Sequence, residues 1–126
     1  MKRLALIALL ASPAVADRAI TVQLPDDAKI AEAATAGFLS ELALAEVVGV
    51  NCPDYRLTKG EAELISGTVD LVADIFDLNP ETRAQNVYGP AFALLDQPGT
   101  CDTEGPKIAP LVEKLKAMGG GTDPLG

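Results

Sequence analysis

The chain has 126 residues, 18 of them acidic and 10 basic, which gives a formal net charge of −8. Nucleic acids and anionic membrane surfaces bind clusters of Lys and Arg, so this balance argues against both as partners. Histidine is absent, which removes the commonest general base, the commonest neutral metal ligand and any Ser-His or Cys-His dyad. The composition is compatible with a basic partner, with cations, or with solubility alone.

The first 16 residues predict an exported protein. Lys2 and Arg3 supply a positive start, residues 4–11 are an apolar run, and Ala-Val-Ala at 14–16 is a cleavage site of the small-x-small type. The run is shorter than the roughly 20 apolar residues that span a bilayer, and no later segment is apolar enough to do so. We therefore expect a bacterial Sec-type signal peptide cleaved after Ala16, a mature protein in the periplasm or the medium, and no membrane insertion.

The mature chain begins with an arm and a helix. Residues 17–25 alternate apolar and polar side chains without an evident partner strand, so we expect an extended arm that lies across helices. Residues 26–48 predict one helix, because aspartates precede it, apolar residues recur every four positions and Gly49 follows as a C-cap. Gly37 costs this helix about 1 kcal/mol of propensity, so we expect a packing reason for it.

The clearest helical pattern covers residues 58–78. Thr58 and Glu61 have the spacing of a capping box at its start, and Asn79-Pro80 marks its end, because a residue before proline leaves the α region. An apolar arc of about 200° needs neighbours on more than one side, so we expect this helix to be the centre of the domain. The arc contains Leu64, Ile65, Thr68, Val69, Leu71, Val72, Ile75, Phe76 and Leu78.

Two further helices follow. Residues 80–96 predict a helix that a Gly-Pro pair at 89–90 must kink or split, because proline lacks a donor and crowds the preceding turn. Residues 97–105 are rich in turn formers and predict a loop. Pro106 begins the last helix, and residues 119–126 predict a flexible tail after three glycines.

Cys52 and Cys101 are the two cysteines of the chain. In an exported protein of this size they predict one structural disulfide, which closes a loop of about 50 residues. A redox pair is the alternative, but the two cysteines have no C-x-x-C spacing and no flanking cation to activate a thiolate. We therefore predict an all-α fold: a small four-helix bundle-like domain over residues 26–118, joined by this disulfide.

The acidic residues of the central pattern are the first candidate site. Glu63, Asp70, Asp74 and Asp77 lie opposite the apolar arc, and the three aspartates are spaced about one turn apart. A cation could bridge them, or a pair could act as acid and base. The ordinary interpretation is the solvated face of an amphipathic helix, and no calcium-loop motif accompanies them.

Two weaker candidates follow. Asp96, Asp102 and Glu104 could collect around a cation, although a polar loop beside a disulfide explains them equally. Tyr55 and Tyr88 could donate to a ligand, or simply pack. No zinc, haem or phosphate-binding motif is present, so we expect no metal, no cofactor and no enzyme, with a hydrolase that uses carboxylates alone as the remaining enzymatic possibility.

One resemblance bears on function. Asn-Cys-Pro-Asp-Tyr at 51–55 and Gly-Thr-Cys-Asp at 99–102 resemble, in their layout, the HdeA-type periplasmic acid-stress chaperones. That family implies a small helical fold with one disulfide, a dimer near neutral pH, and binding of unfolding clients on acidification. The layout spans residues 51–118. This chain is more acidic and places a helix before its first cysteine, so no functional residue is transferred, and another small exported family fits as well.

These observations predict a small exported protein without enzymatic activity that binds a protein partner or forms a homodimer, as an envelope stress or chaperone-like module. The alternative is a cation-binding or small-ligand-binding protein that uses the acidic side chains. A patch of the central apolar arc left exposed would favour the first prediction.

Overall fold

The computed structural model describes residues 20–126. The predicted signal peptide, residues 1–16, lies outside the described residues. Over residues 20–126 the fold is helical, and its β-structure is limited to one isolated bridge, which confirms the predicted all-α class. In chain order the helices are α1 (Asp27–Ala33), α2 (Ala36–Asn51), α3 (Lys59–Ile75), α4 (Pro80–Thr82), α5 (Gly89–Leu95), α6 (Thr100–Glu104) and α7 (Ile108–Ala117).

The predicted single helix over residues 26–48 is wrong. The chain turns by 108° between α1 and α2, and the Thr35 hydroxyl accepts a hydrogen bond from the Phe38 N–H at 3.0 Å as the N-cap of α2. The alanines on both sides of Thr35 are good helix formers and conceal the break. The helix also continues past Gly49 to Asn51, so Gly49 is not its C-cap. Gly49 lies beneath the Leu57 side chain, where no larger residue fits.

The centre of the bundle is α2, which corrects the prediction for residues 58–78. Helix α2 packs against α3 and also against α5, α6 and α7, whereas α3 packs mainly against α1, α2 and α7. The apolar residues of α2 itself are distributed around nearly all of its circumference, as expected for a helix that packs against several neighbours. Its buried residues are Phe38, Leu39, Leu42, Ala43, Ala45, Val47, Val48 and Gly49.

Helix α3 confirms the predicted capping box. The Thr58 hydroxyl accepts from the Glu61 N–H at 3.1 Å, and the Glu61 carboxylate accepts from the Thr58 N–H at 2.9 Å. The predicted end at residue 78 is wrong: the helix ends at Ile75, because Asp77 adopts a left-handed conformation with φ of 57°. The Asn79 side chain caps the next helix by accepting from the Thr82 N–H at 2.8 Å.

The segment 80–95 stays helical through its Gly-Pro pair. Helix α4 continues into a π turn (Arg83–Tyr88), and α5 follows without a gap. The Gly89 N–H donates to the Ala84 carbonyl, five residues back. Proline crowds the turn that precedes it, and this turn is the wide π turn, so Pro90 sits at the start of α5 without splitting the segment.

The disulfide between Cys52 and Cys101 is present, with 5.7 Å between the two Cα atoms. It ties the end of α2 to α6. The prediction that Cys101 lies in a loop is wrong, since α6 covers Thr100–Glu104. The Thr100 hydroxyl donates to the Leu94 carbonyl at 2.5 Å, with the Gln97 carbonyl also within reach at 3.0 Å, and holds α6 against the end of α5.

The arm before α1 pairs with the end of the chain. Val22 forms a β-bridge with Pro124. The Gly121 N–H donates to the Gln23 carbonyl at 2.9 Å, and the Leu125 N–H donates to the Thr21 carbonyl at 2.8 Å. The sequence predicts a flexible tail here, and the structure places that tail along the arm, on the side of the bundle where α3 begins.

Candidate functional site

The predicted acidic stripe is divided in the structure. Glu63 accepts hydrogen bonds from the Thr21 N–H at 2.7 Å and from the Thr21 hydroxyl at 2.8 Å, so it anchors the arm. Those two donors lower the pKa of the Glu63 carboxyl below its ordinary value. Asp77 belongs to the turn after α3. Only Asp70 and Asp74 of this set share a partner.

That partner is Arg83. Its guanidinium donates to Asp70 Oδ1 at 2.9 Å and to Asp74 Oδ1 at 2.8 Å, while its Nε donates to the Leu78 carbonyl at 3.2 Å. The guanidinium thus occupies the position between the two carboxylates where the sequence allowed a bridging cation. Among the described residues, no group of three or more His, Cys, Asp or Glu side chains is arranged to hold a metal ion.

The other two candidates have structural partners. Glu104 pairs with Lys107 at 3.1 Å. Within residues 20–126, Glu104, Asp96 and Asp102 do not form a group that could hold a metal ion. The Tyr55 ring covers Gly105 so closely that a Cβ there would collide with it.

Tyr88 has a partner that sequence reasoning missed. Its phenol donates to Glu46 Oε1 at 2.6 Å, which links the π turn to α2. Burial raises the pKa of the Glu46 carboxyl, the Tyr88 hydrogen bond opposes that rise, and the negative charge of Asp70 adds to it. The position of Glu46 in a helix that is apolar on most sides is the feature of the sequence that could have indicated a polar partner.

The apolar arc of α3 is covered along most of its length. Leu64, Ile65, Val69 and Val72 are buried, whereas Ile75 and Phe76 at the end of the helix are 50% and 41% exposed. Only the C-terminal end of the arc is therefore exposed, and the arc does not present a broad apolar surface to solvent.

A groove lies on the opposite side of α2. Helix α2 forms its floor, α5 and the end of the π turn form one wall, and α6 with the start of α7 forms the other. The groove encloses about 360 Å³. The floor residues are Gly37, Ser40, Glu41, Leu44 and Ala45, and the wall residues are Val87, Pro90, Ala91, Leu94, Glu104, Lys107 and Leu111.

The groove is apolar at its base and carries few charges. Ala45, Val87, Ala91 and Leu111 are buried at its base, while Leu94 on the rim is 42% exposed. Three charged residues line it: Glu104 and Lys107 pair with each other, and Glu41 forms no salt bridge among the described residues.

Over residues 20–126, no single helix is both long and apolar enough to cross a membrane. Helices α1 and α2 reach that length and composition only jointly, across their 108° bend.

Comparisons with protein-family models, with curated proteins and with solved structures find no match to this chain.

Proposed function

We propose that this protein is a small exported module without enzymatic activity that binds other proteins, in the manner of an envelope stress protein or chaperone. The observation that carries the proposal is the groove floored by α2. It is concave, it is apolar at its base, and it leaves Leu94 exposed at the rim. Exposed apolar surface framed by polar residues is typical of protein interaction sites.

The rest of the chain supports this proposal. The residues 14–16 cleavage pattern favours export, and the Cys52–Cys101 disulfide is compatible with an oxidising compartment. The carboxylates that first suggested chemistry have structural roles: Glu63 holds the arm, and Asp70 and Asp74 hold Arg83. The layout resemblance to the HdeA-type chaperones leads to the same class of function.

A client-aggregation assay tests the proposal. The purified oxidised protein is mixed with an aggregating client at about pH 7 and about pH 3, and light scattering is followed. We expect suppression by the wild-type protein at one or both pH values, and weaker suppression by Leu94→Lys, which places a charge on the groove rim at both pH values. Leu125→Lys is the matched control, because Leu125 is 67% exposed in the tail and does not line the groove. No suppression by the wild type at either pH would refute the proposal.

A further inference from the structure

We infer that the groove floored by α2 receives one amphipathic helix of a partner protein, and that this helix presents an apolar face and a Lys or Arg that pairs with Glu41. The inference rests on the protein-binding function proposed above and specifies its partner. It is argued from the shape of the groove, from the small residues in its floor and from its charge.

The shape of the groove fits a helix. Its floor runs from Gly37 to Ala45 along α2, and at a rise of 1.5 Å per residue this span is about 12 Å, or roughly two helical turns. One wall beside this floor consists of Val87, Pro90, Ala91 and Leu94, whose i, i+3, i+4, i+7 spacing places them on one face of a helix. Two neighbouring helix faces bound a channel of the kind in which an amphipathic helix places anchors at i, i+3 or i+4, and i+7.

Gly37 indicates a close approach from outside the chain. For the predicted helix over residues 26–48, glycine in the interior costs about 1 kcal/mol relative to alanine, so an internal contact was expected to require it; in the structure Gly37 is the second residue of α2, where the cost is smaller. The structure shows no such contact: a Cβ at Gly37 would meet only the Thr35 hydroxyl, at 3.9 Å. At Gly49 and Gly105, by contrast, a Cβ would collide with a side chain of the protein itself. Gly37 opens into the groove, where a small residue lets a second helix come near α2.

The charge of the groove specifies the partner. Of its three charged residues, Glu104 and Lys107 neutralise each other, which leaves Glu41 as a carboxylate on the apolar floor without a salt bridge among the described residues. A Lys or Arg beside the apolar face of the guest would pair with it. A second copy of this chain is disfavoured as the guest, because each copy has a net charge of −8.

The probe is a synthetic amphipathic helix of about 15 residues with Leu on one face and Lys along its edges. Its twin carries Glu in place of Lys. Calorimetry and fluorescence anisotropy measure the binding of both peptides to the oxidised protein, at about 50 mM and about 300 mM salt. We expect saturable one-to-one binding of the Lys peptide that weakens with salt, and at least about ten-fold weaker binding of the Glu twin.

Variants locate the binding. Glu41→Gln should weaken the Lys peptide by roughly five-fold, whereas Glu113→Gln, on the exposed side of α7, should leave its affinity unchanged. Gly37→Leu should weaken binding by at least about ten-fold because the new side chain occupies the groove. Gly37→Ala adds one methyl group and should retain most of the affinity. Both Gly37 variants should unfold at the same temperature as the wild type or higher, since helix propensity increases, so a lost affinity does not reflect a lost fold.

Three results would overturn the inference. The first is equal binding of the Lys peptide and its Glu twin. The second is binding that neither Glu41→Gln nor Gly37→Leu changes. The third is a dimer in native mass spectrometry that Gly37→Leu abolishes, because a second copy would then be the occupant. If Gly37→Leu still protects the client, this inference is contradicted and the proposed function stands. If the protein binds the peptide normally but does not protect the client, only the chaperone-like function is refuted.

Discussion

The Tyr88 phenol donates a hydrogen bond of 2.6 Å to Glu46, and this contact joins the π turn to the central helix α2. The contact is partly buried. Burial and the neighbouring Glu46 raise the pKa of Tyr88 far above its ordinary value, so the phenol remains a donor at neutral pH. The pair thus holds the wall of the groove that contains Val87 in place against its floor.

Removal of the Tyr88 hydroxyl should destabilise the fold. Tyr88→Phe leaves Glu46 partly buried without its donor, which typically costs about 1–3 kcal/mol. Tyr55→Phe is the matched control, because the Tyr55 ring packs on Gly105 and no side-chain hydrogen bond of its hydroxyl is present among the described residues. Urea unfolding at neutral pH measures both. Equal losses for the two variants would show that the Tyr88 bond contributes no stability.

The pH dependence of Glu46→Gln should have a defined sign. The folded pKa of Glu46 is raised above its usual 4.5, so between those two values the native state binds more protons than the unfolded state, and stability falls as pH rises. The Gln variant does not titrate and can still accept from Tyr88. Its stability advantage over the wild type should therefore be largest at neutral pH and should disappear below 4.5.

Thermal unfolding followed by circular dichroism across this pH range measures that difference. Glu63→Gln supplies the opposite case, because the Thr21 donors lower the Glu63 pKa and its contribution to stability is lost as pH falls. An advantage for Glu46→Gln that grows on acidification would contradict the assignment.

The disulfide should contribute a large part of the stability. Cys52 and Cys101 are separated by 49 positions, and closing a loop of that length removes roughly 4 kcal/mol of denatured-state entropy, with typical measured values of about 2–4 kcal/mol. The double variant Cys52→Ala/Cys101→Ala should lose that amount in urea unfolding. The two single variants, measured under reducing conditions, control for lost packing. A double variant as stable as the oxidised wild type would refute the prediction.

Arg83 should matter more than either of its acidic partners. Asp70 and Asp74 are largely exposed, so replacing either with Asn should cost at most about 1 kcal/mol. Arg83→Ala also removes the bond to the Leu78 carbonyl after α3 and should cost more. Arg83→Lys should recover little, because an ammonium cannot reproduce three directed bonds.

The same arrangement bears on the cation-binding alternative. Because Arg83 already pairs with both Asp70 and Asp74, calorimetric titration of the wild type with calcium, magnesium or manganese should give no saturable heat. A saturable signal that Asp70→Asn abolishes would restore the acidic stripe as a metal site.

Substitution of Gly60 tests the packing of the tail, and the same substitution at Gly37 is its control. A Cβ at Gly60 would collide with the Thr122 carbonyl, whereas a Cβ at Gly37 has open space. Gly60→Ala should therefore displace the tail and speed hydrogen exchange of the Gly121 and Leu125 amides, while Gly37→Ala should not. Unchanged exchange in Gly60→Ala would show that the tail can shift without losing its hydrogen bonds to the arm.

Local signals in the sequence were sufficient for much of the fold. The Thr58 capping box, the start of a helix at Pro80 and the cysteine pair each depend on residues close in sequence, or on a single covalent bond, and each is confirmed. The break before α2 was missed because Thr35 lies among alanines that favour helix, so only tertiary packing reveals it.

The candidate site could not be assembled in the same way. Its residues come from α2, from the segment 80–95 and from the start of α7, and no sequence spacing relates these segments to one another. The sequence predicts a packing reason for Gly37, but the structure shows no internal contact that requires glycine there and places the residue in the lining of the groove. The acidic stripe of α3 was conspicuous in the sequence, but its neighbours Thr21 and Arg83 could be identified only from the fold.

The most direct test of the account is a titration of the isotope-labelled protein with the Lys peptide, followed by two-dimensional amide spectra. We predict that the largest shifts occur at Gly37, Ser40 and Glu41 on the floor and at Leu94 on the rim of the groove, and that Gly37→Leu removes them. Shifts centred on the arm and tail around Thr21, or shifts that persist in Gly37→Leu, would contradict the claim that this groove is the binding site.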